Sequence, residues 1–328
     1  MNKKVLHVVQ NSGPTNMGYN EFYLNTKESS RYLDLNQGKS LINSMFRFSL
    51  KYFKSSSEYK VIHVHSNQLL LVCWLIDLIK LKKNRFIYTV HTSFENLKGK
   101  NKILFFINIY LAKRVVFCSQ ASFDSFPISV KSNEKCLVIR NGVNIQHSNL
   151  SNSFLGFICL GRLINLKRVD GVMRAYSNSG VSAGLKFIGD GVLYRELEDM
   201  SRSLLNVIML GKVERNTVLE ELQKAKSIVS FSSIEGMPVS ILEGISKRCV
   251  PILSKIPPHE ELVSLGFKVY IAENEEELAK NICQVDSLSS EECNRIVDYN
   301  YNLLVKECTI ESMLALYNKQ YKVDFDAG

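Results

Sequence analysis

The sequence predicts a parallel α/β protein of two domains, and three observations predict it. Apolar β-type runs alternate with helical patterns from one end of the chain to the other. A length of 328 residues, 45% hydrophobic and 22% charged, leaves room for a buried core in each of two domains. Charge divides unevenly: residues 1–150 carry 21 Lys and Arg against 8 Asp and Glu, net +13, and residues 151–328 carry 20 against 24, net −4.

In chain order, the strands of the first half are VLHVVQ, VIHVH, FIYTV, RVVFC and CLVIR, short runs of β-branched and aromatic residues bounded by polar turns. Residues 11–38, after the first of them, are polar and contain Gly13 and Gly18. They follow neither a period of 2 nor of 3.6 and read as one long loop, a candidate acceptor-binding or closing element at the sheet's ligand edge with Gly13 and Gly18 as its acceptor contacts. Residues 141–152 (NGVNIQHSNLSN) break the rhythm with Asn, Ser and Gly and read as an interdomain linker, giving domains over 1–148 and 149–306. The second half continues with FICLG, LKFIG, VIML, SIVSF, VPIL and KVYIA. A last helical pattern, 310–321, follows Thr309, which suits an N-cap.

Composition narrows the function classes. Eight cysteines show no C-x-x-C pair or finger-like spacing, so reduced core thiols and a cytoplasmic protein are expected. The apolar run of MNKKVLHVVQ is too short for a signal peptide, and 69–76 and 103–112 fall short of the ~20 apolar residues of a membrane span. The basic excess of the first half lies in 51–60, 80–85 and 97–102, each beside an apolar helical stretch, and implies an anionic partner. No helix-turn-helix, zinc knuckle or aromatic RNA-binding signature accompanies it, which argues against nucleic acid. A membrane surface or a lipid diphosphate fits better, with a solvated basic face as the competing reading.

The most informative motif is 234–244, IEGMPVSILEG. Glu235 and Glu243 stand eight residues apart around a Gly-Met-Pro turn that opens a helix after the strand SIVSF. Pro238 suits the first helical turn, Gly236 gives backbone freedom before it, and the amides of Gly236, Met237 and Val239 are expected to face an incoming anion at the positive end of the helix. The two carboxylates project from different places and could hold different hydroxyls of one ligand, such as a sugar and a ribose. A surface acid plus a helix-face acid is the bland alternative. The surrounding strand, turn and helix favour the ligand, because ligands in parallel sheets bind beyond strand ends.

Two further segments leave strands in the same way. Arg162 and Lys167 in GRLINLKR could reach a diphosphate, Arg as a fork and Lys as a point charge. Gly189 in Gly189-Asp190-Gly191 permits close backbone approach, which a simple β-to-α turn explains almost as well. Of six histidines, His91 follows FIYTV at the edge where a substrate would lie. His63 and His65 are expected on opposite sides of their strand, one in the core and one, His65, toward acceptor, so that they would not chelate one metal together. No H-E-x-x-H or comparable metal cluster is present, and the one Asp-x-Asp, Asp324 and Asp326, lies in the C-terminal tail; no metal and no other cofactor is expected.

VIHVHS, YTVHTSF, VVFCSQ, VIRNGVN, LGRLINLKR, FIGDGVLYRELE, VIMLGKV and SSIEGMPVSILEG resemble, in order, the landmarks of the retaining GT-B glycosyltransferases of family 4. The resemblance covers most of the chain from Val61 onward. It implies two Rossmann-like domains with parallel sheets facing a central cleft, the N-terminal one binding acceptor, the C-terminal one the nucleotide-sugar donor, and a closing helix at about 309–321 returning to the first. Arg162 and Lys167 match the residues that bind the donor diphosphate, Glu243 the carboxylate on the ribose, and Glu235 the carboxylate near the transferred sugar. Gly236, Met237, Pro238 and Val239 match the loop on sugar and phosphate, Gly189 another donor contact, and His91 the residue near the reacting centre. The implied reaction is metal-independent front-face transfer with retention; a hexose or N-acetylhexosamine is the expected sugar, with a UDP-sugar favoured over a GDP-sugar as donor. The net +13 of the first half and its basic patches, and not the resemblance, point to an acceptor that is lipid-linked or of the O-antigen, capsule or exopolysaccharide type, at the inner face of the membrane.

The chain departs from the family at its N-terminus, where a Gly-Gly loop, a helix and a second βα unit usually precede the strand like VIHVH. Here Gly13 and Gly18 stand apart and the domain reads as short. That leaves an alternative, a catalytically inactive partner or scaffold subunit of another glycosyltransferase, which the intact Arg162, Lys167 and Glu235 argue against. An epimerase or phosphorylase would need its own catalytic acids or a pyridoxal phosphate lysine motif. A dehydrogenase would need a G-x-G-x-x-G after a strand, and none occurs.

Overall fold

A computed structural model describes residues 5–10, 31–35, 40–145 and 156–323. The chain divides into two compact units, Met1–Gly142 with Ile310–Gly328, and Val143–Thr309. Each is built on a six-stranded, all-parallel sheet.

In the first unit the strands are β1 (Val5–Val9), β2 (Arg31–Asp34), β3 (Val61–Val64), β4 (Arg85–Val90), β5 (Arg114–Phe117) and β6 (Cys136–Val138), in the order β2-β1-β3-β4-β5-β6. Helices α1 (Leu41–Ser55), α2 (Leu69–Ile79), α3 (Lys100–Leu111), α4 (Gln120–Asp124) and α5 (Ile128–Lys131) connect them. β3 is buried along its whole length, as a central parallel strand must be when both faces are covered. On one face Leu6, Ile62, Val64 and Phe86 pack with Phe48 and Tyr52 of α1, Leu69, Leu70 and Cys73 of α2, and Phe105 of α3. On the other, Val5, Val61, Ile87 and Val116 pack with Ile310, Met313, Tyr317 and Tyr321 of the C-terminal helix, Ile310–Val323.

The long loop expected over 11–38 is interrupted. Arg31–Asp34 forms β2, paired in parallel with β1 at the sheet edge, and with α1 it supplies a βα unit before β3 that the sequence reading had missing. Edge placement explains the miss: β2 pairs on one side only and none of its four side chains is fully buried, so RYLD lacks the apolar run of an inner strand. Gly13 and Gly18 lie outside the described residues, as do 146–152 of the expected linker and the pair Asp324 and Asp326.

The second unit contains β7 (Phe157–Leu160), β8 (Leu185–Ile188), β9 (Val207–Gly211), β10 (Ser227–Ser230), β11 (Val250–Ser254) and β12 (Tyr270–Ala272), in the order β12-β11-β10-β7-β8-β9. Its helices are α6 (Val169–Ser179), α7 (Tyr194–Ser201), α8 (Arg215–Lys224), α9 (Val239–Ser246), α10 (Pro257–Ser264), α11 (Glu275–Ser287) and α12 (Ser290–Glu307); the C-terminal helix is thus α13. Phe157, Cys159, Phe187, Val229 and Ile252 form the core with Val172 and Met173 of α6 and Leu278 and Ile282 of α11. Counted from β7, this is the doubly wound order 3-2-1-4-5-6, which reverses direction between β7 and β10. A crevice opens outside the strand ends at such a reversal.

Candidate functional site

The reversal places two loops side by side. The loop after β7 carries Gly161, Arg162 and a short 3-10 turn, Asn165–Lys167, and the loop after β10 carries Ser232, Ser233 and Glu235. They are tied together by Ser233, whose backbone N–H and Oγ donate to the Leu166 carbonyl at 2.9 and 3.1 Å. Across this seam Lys167 Nζ and Glu235 Oε1 form an ion pair, with the two side chains only 20% and 11% exposed. Ser232 Oγ donates to the same carboxylate oxygen at 2.7 Å, and Ser232's own carbonyl accepts from Ser254 Oγ at 2.6 Å. Half-buried opposite charges attract more strongly than exposed ones, so this geometry is well fixed before any ligand arrives. Arg162 is exposed at the lip of the same loop.

The third strand exit is built on close backbone contact. Gly189 has φ +141°, and a Cβ there would stand 1.8 Å from the Gly161 carbonyl oxygen. Leu163 N–H donates to Asp190 O at 2.9 Å, locking the loops after β7 and β8 together. The close approach that Gly189 permits is therefore to the neighbouring loop.

The Gly-Met-Pro turn leads into α9, with Pro238 immediately before the first helical residue, Val239. Val239 N–H donates to the Met237 carbonyl at 2.9 Å, so in this structure that amide closes a tight turn instead of presenting itself to an anion. Met237, Pro238 and Val239 are buried and Gly236 is half-buried. Glu243, inside α9, is 2% exposed and pairs with Arg215 Nη1 of α8 at 2.9 Å.

Two residues of this region escaped sequence reasoning. Arg215, near the end of GKVER after β9, is recognisable only once α8 and α9 are side by side. His259 of α10 lies fully buried, and its Nδ1–H donates to the Ser254 carbonyl at 2.8 Å. Burial lowers its pKa to about 4, opposed by the nearby negative charge of Glu235, so the ring is neutral and its Nε2 is the acceptor nitrogen. The PPHEEL segment after β11 was the available signal.

In the first unit the histidines gather. His63 and His65 do not face opposite sides: their ring centroids are 3.9 Å apart, because residues two apart along a strand share a face. His7 of β1, missed within its apolar run, joins them, with Nδ1 3.2 Å from His65 Nε2; His65 Nδ1 in turn lies 3.2 Å from His91 Nε2. His63 uses both nitrogens, one toward Tyr321 Oη at 2.7 Å and one toward Thr89 Oγ1 at 2.7 Å, and Thr89 Oγ1 is 3.1 Å from Tyr317 Oη. Burial pushes His7 down to about pKa 3 and holds His63 and His65 well below the ordinary histidine range. Ligating atoms of His7, His63 and His65 come within 4.8 Å of one another, a grouping the sequence reading excluded. Neutral imidazoles suit a metal, but His63 would have to release Thr89 or Tyr321 to bind one. The cluster reads first as a hydrogen-bonded layer that anchors α13.

Comparison with known proteins agrees with this architecture. Residues 144–303, which lie within the second unit, match the family model for glycosyl transferases group 1. The structure of Anabaena Alr3699/HepE in complex with UDP-glucose is similar with a TM-score of 0.82 and 16% identity, over 99% of this chain and 100% of that one. A glycosyltransferase from Rickettsia africae ESF-5 gives 0.77 and 17% over 100% of both chains. The lipopolysaccharide outer core galactosyltransferase WaaB gives 0.68 and 16% over 97% of this chain and 99% of that one. No curated protein sequence matches. The fold is that of the GT-B glycosyltransferases, two Rossmann-like units on parallel sheets.

Proposed function

We propose that the protein is a glycosyltransferase that moves a hexose or N-acetylhexosamine from a UDP-sugar, in preference to a GDP-sugar, to a lipid-linked or surface-polysaccharide acceptor, with retention and without a metal. The observation that carries the reading is the seam at the β7/β10 reversal, where Lys167, Glu235 and Ser232 are fixed beside exposed Arg162. The HepE structure with UDP-glucose supports the choice of uridine.

On this reading the second unit binds donor and the first binds acceptor, with His91 on the acceptor side. Arg162 and Lys167 take the diphosphate, and Lys167 exchanges part of its contact with Glu235 for a phosphate oxygen. Glu235, freed from full neutralisation, accepts from hydroxyls of the transferred sugar, while Glu243 accepts from the ribose. Gly189 and the turn Gly236, Met237, Pro238 and Val239 line the sugar and phosphate. The bond from C1 to the phosphate oxygen breaks as the acceptor oxygen bonds to C1 on the same face, and the acceptor proton passes to the leaving phosphate. The protein supplies positioning and charge stabilisation, which Arg162 and Lys167 can provide without a metal. The protein works in the cytoplasm, peripheral on the inner face of the membrane; no helix among the described residues is long and apolar enough to cross it.

Thermal stabilisation across UDP-, GDP-, ADP- and CMP-sugars, with and without EDTA, tests the reading, because a ligand bound to the native state raises the melting point. A UDP-sugar is expected to give the largest shift, unchanged by EDTA. Absence of a shift with every donor would remove the donor assignment, and loss of the shift in EDTA would remove metal independence. Arg162→Ala is expected mainly to lower kcat, about 100-fold, with a smaller loss of the donor-induced shift, and Glu243→Ala to weaken donor binding. Wild-type turnover in the first variant would end the role of Arg162.

A further inference from the structure

The three helices that cover one face of the first sheet carry a second apolar surface turned away from the core. In α1, Phe48 and Tyr52 point into the core, yet Ile42, Phe46, Leu50 and Phe53 are exposed at 80, 65, 47 and 48%. Their spacing of four, four and three residues makes one stripe along the helix. The neighbouring α2 exposes Leu75, Leu78 and Ile79, and α3, beside it, exposes Ile103, Phe106 and Tyr110 at intervals of three and four. Eleven of the twenty large apolar side chains exposed among the described residues fall within 41–111. Scattered exposed leucines need no explanation, but three adjacent stripes on one layer do.

Leu81, at the end of α2, adds an independent observation. It is 91% exposed and held at φ +53°, a left-handed conformation that normally goes to Gly or Asn at a helix end. Its position follows from the turn, in which Leu81 N–H donates to Leu78 O and Lys82 N–H to Asp77 O. A bulky apolar side chain is thus set in an unfavourable backbone state to stand in water, and folding gains nothing from it.

We propose that this helical layer is a docking face for an anionic lipid bilayer. Charge decides the occupant. Residues 41–113 hold 12 Lys and Arg against 3 Asp and Glu, net +9, and one of the three acids, Asp77, is buried against Tyr52. Cations and apolar groups interleave, as where Lys80 Nζ stands 4.6 Å from the Phe53 ring. Two copies of such a face repel each other, whereas a negatively charged lipid surface draws in the lysines while the apolar stripes and Leu81 enter the headgroup boundary. This deepens the membrane-linked acceptor reading above but does not depend on the donor chemistry.

The test is co-sedimentation of the purified full chain with vesicles of phosphatidylcholine alone or with 30% phosphatidylglycerol, at low and high salt. Binding to the anionic vesicles is expected to exceed that to neutral ones at least about tenfold and to weaken with salt. Lys82→Glu with Lys83→Glu should lower it by at least about tenfold. Phe46→Ser with Phe53→Ser should lower it at both salt concentrations while circular dichroism is unchanged. Leu81→Asn should separate docking from folding, raising the Tm by about 2–4 °C through relief of the backbone while reducing vesicle binding. Equal binding to neutral vesicles, or unaltered binding in these variants, overturns the proposal. So does a wild-type dimer in solution that Phe46→Ser dissociates, since the face would then belong to a second copy. A UDP-sugar thermal shift on the same samples distinguishes this failure from failure of the donor assignment.

Discussion

The two units share a six-stranded parallel sheet with an order reversal beside the first strand of each, yet they keep their polar groups in different places. In the first, polarity lies inside the sheet: His7, His63 and Thr89 come from the adjacent strands β1, β3 and β4, are buried, and His63 and Thr89 are met by Tyr321 and Tyr317 of α13. In the second, it lies beyond the strands, where Arg162, Lys167, Ser232 and Glu235 occupy the exits of β7 and β10. A neutral buried layer must be answered by internal partners and so holds an element in place. Charges in loops at a strand end can trade a partner for a ligand, which is why the proposed donor site lies in the second unit.

Acid breaks this symmetry most strongly. The folded pKa of His7, about 3, and those of His63 and His65 lie below the unfolded value of 6.5, so between those values the unfolded chain binds protons that the folded chain refuses. Their contribution is complete above about pH 6.5 and is lost as pH falls through the folded values, at about 1.4 kcal/mol for every pH unit that separates a group's folded and unfolded pKa. Among the described histidines of the second unit only His259, at about 4, does the same. With three such histidines against one, the first unit is therefore expected to lose more stability than the second between pH 6.5 and 4. Trp74, the only tryptophan, sits in α2 of the first unit and reports on it. Denaturant unfolding at pH 7 and pH 4.5 should show fluorescence moving to lower midpoint than far-UV circular dichroism in acid, and coincident movement would erase the contrast.

The second unit is vulnerable instead at its loop backbone. Gly189→Ala places a methyl 1.8 Å from the Gly161 carbonyl at φ +141° and should destabilise by about 4 kcal/mol. Gly180, at φ +67° with open space around its missing Cβ, provides the control, and Gly180→Ala should cost about 1 kcal/mol. The difference in urea midpoint measures how far the loop seam supports the unit. Equal effects of the two variants would mean that the loops after β7 and β8 yield readily.

The strands that were legible in the sequence are those buried on both faces, such as VIHV and FICL, because burial on both sides demands a continuous apolar run. RYLD was not, since its edge position tolerates Arg and Asp. The strand-exit residues proposed for the site stand out in the sequence for a related reason: a short polar loop between an apolar run and a helix announces itself. Their partners do not. Lys167 and Glu235 are 68 residues apart, and only the reversal between β7 and β10 brings them together; Arg215 reaches Glu243 only because α8 lies beside α9. His7 was hidden in VLHVV because a lone histidine in an apolar run carries no sign of the neighbours that will face it.

The smallest effect tests whether the histidine layer anchors α13. Tyr321→Phe removes the hydroxyl that lies 2.7 Å from His63 Nδ1, and a buried imidazole nitrogen that loses a partner costs about 1–2 kcal/mol. Tyr317→Phe removes a longer contact, 3.1 Å, to Thr89 Oγ1, which keeps His63, so about 0.5–1 kcal/mol is expected. His63→Leu should then make Tyr321→Phe nearly silent, because the group that needed the hydroxyl is gone. A double-mutant cycle read by urea unfolding, followed by Trp74, should return a coupling of about 1 kcal/mol between His63 and Tyr321. Additive losses would mean that α13 is held by the packing of Ile310 and Met313 on Val61 and Ile87, with the histidines merely accommodated beneath it.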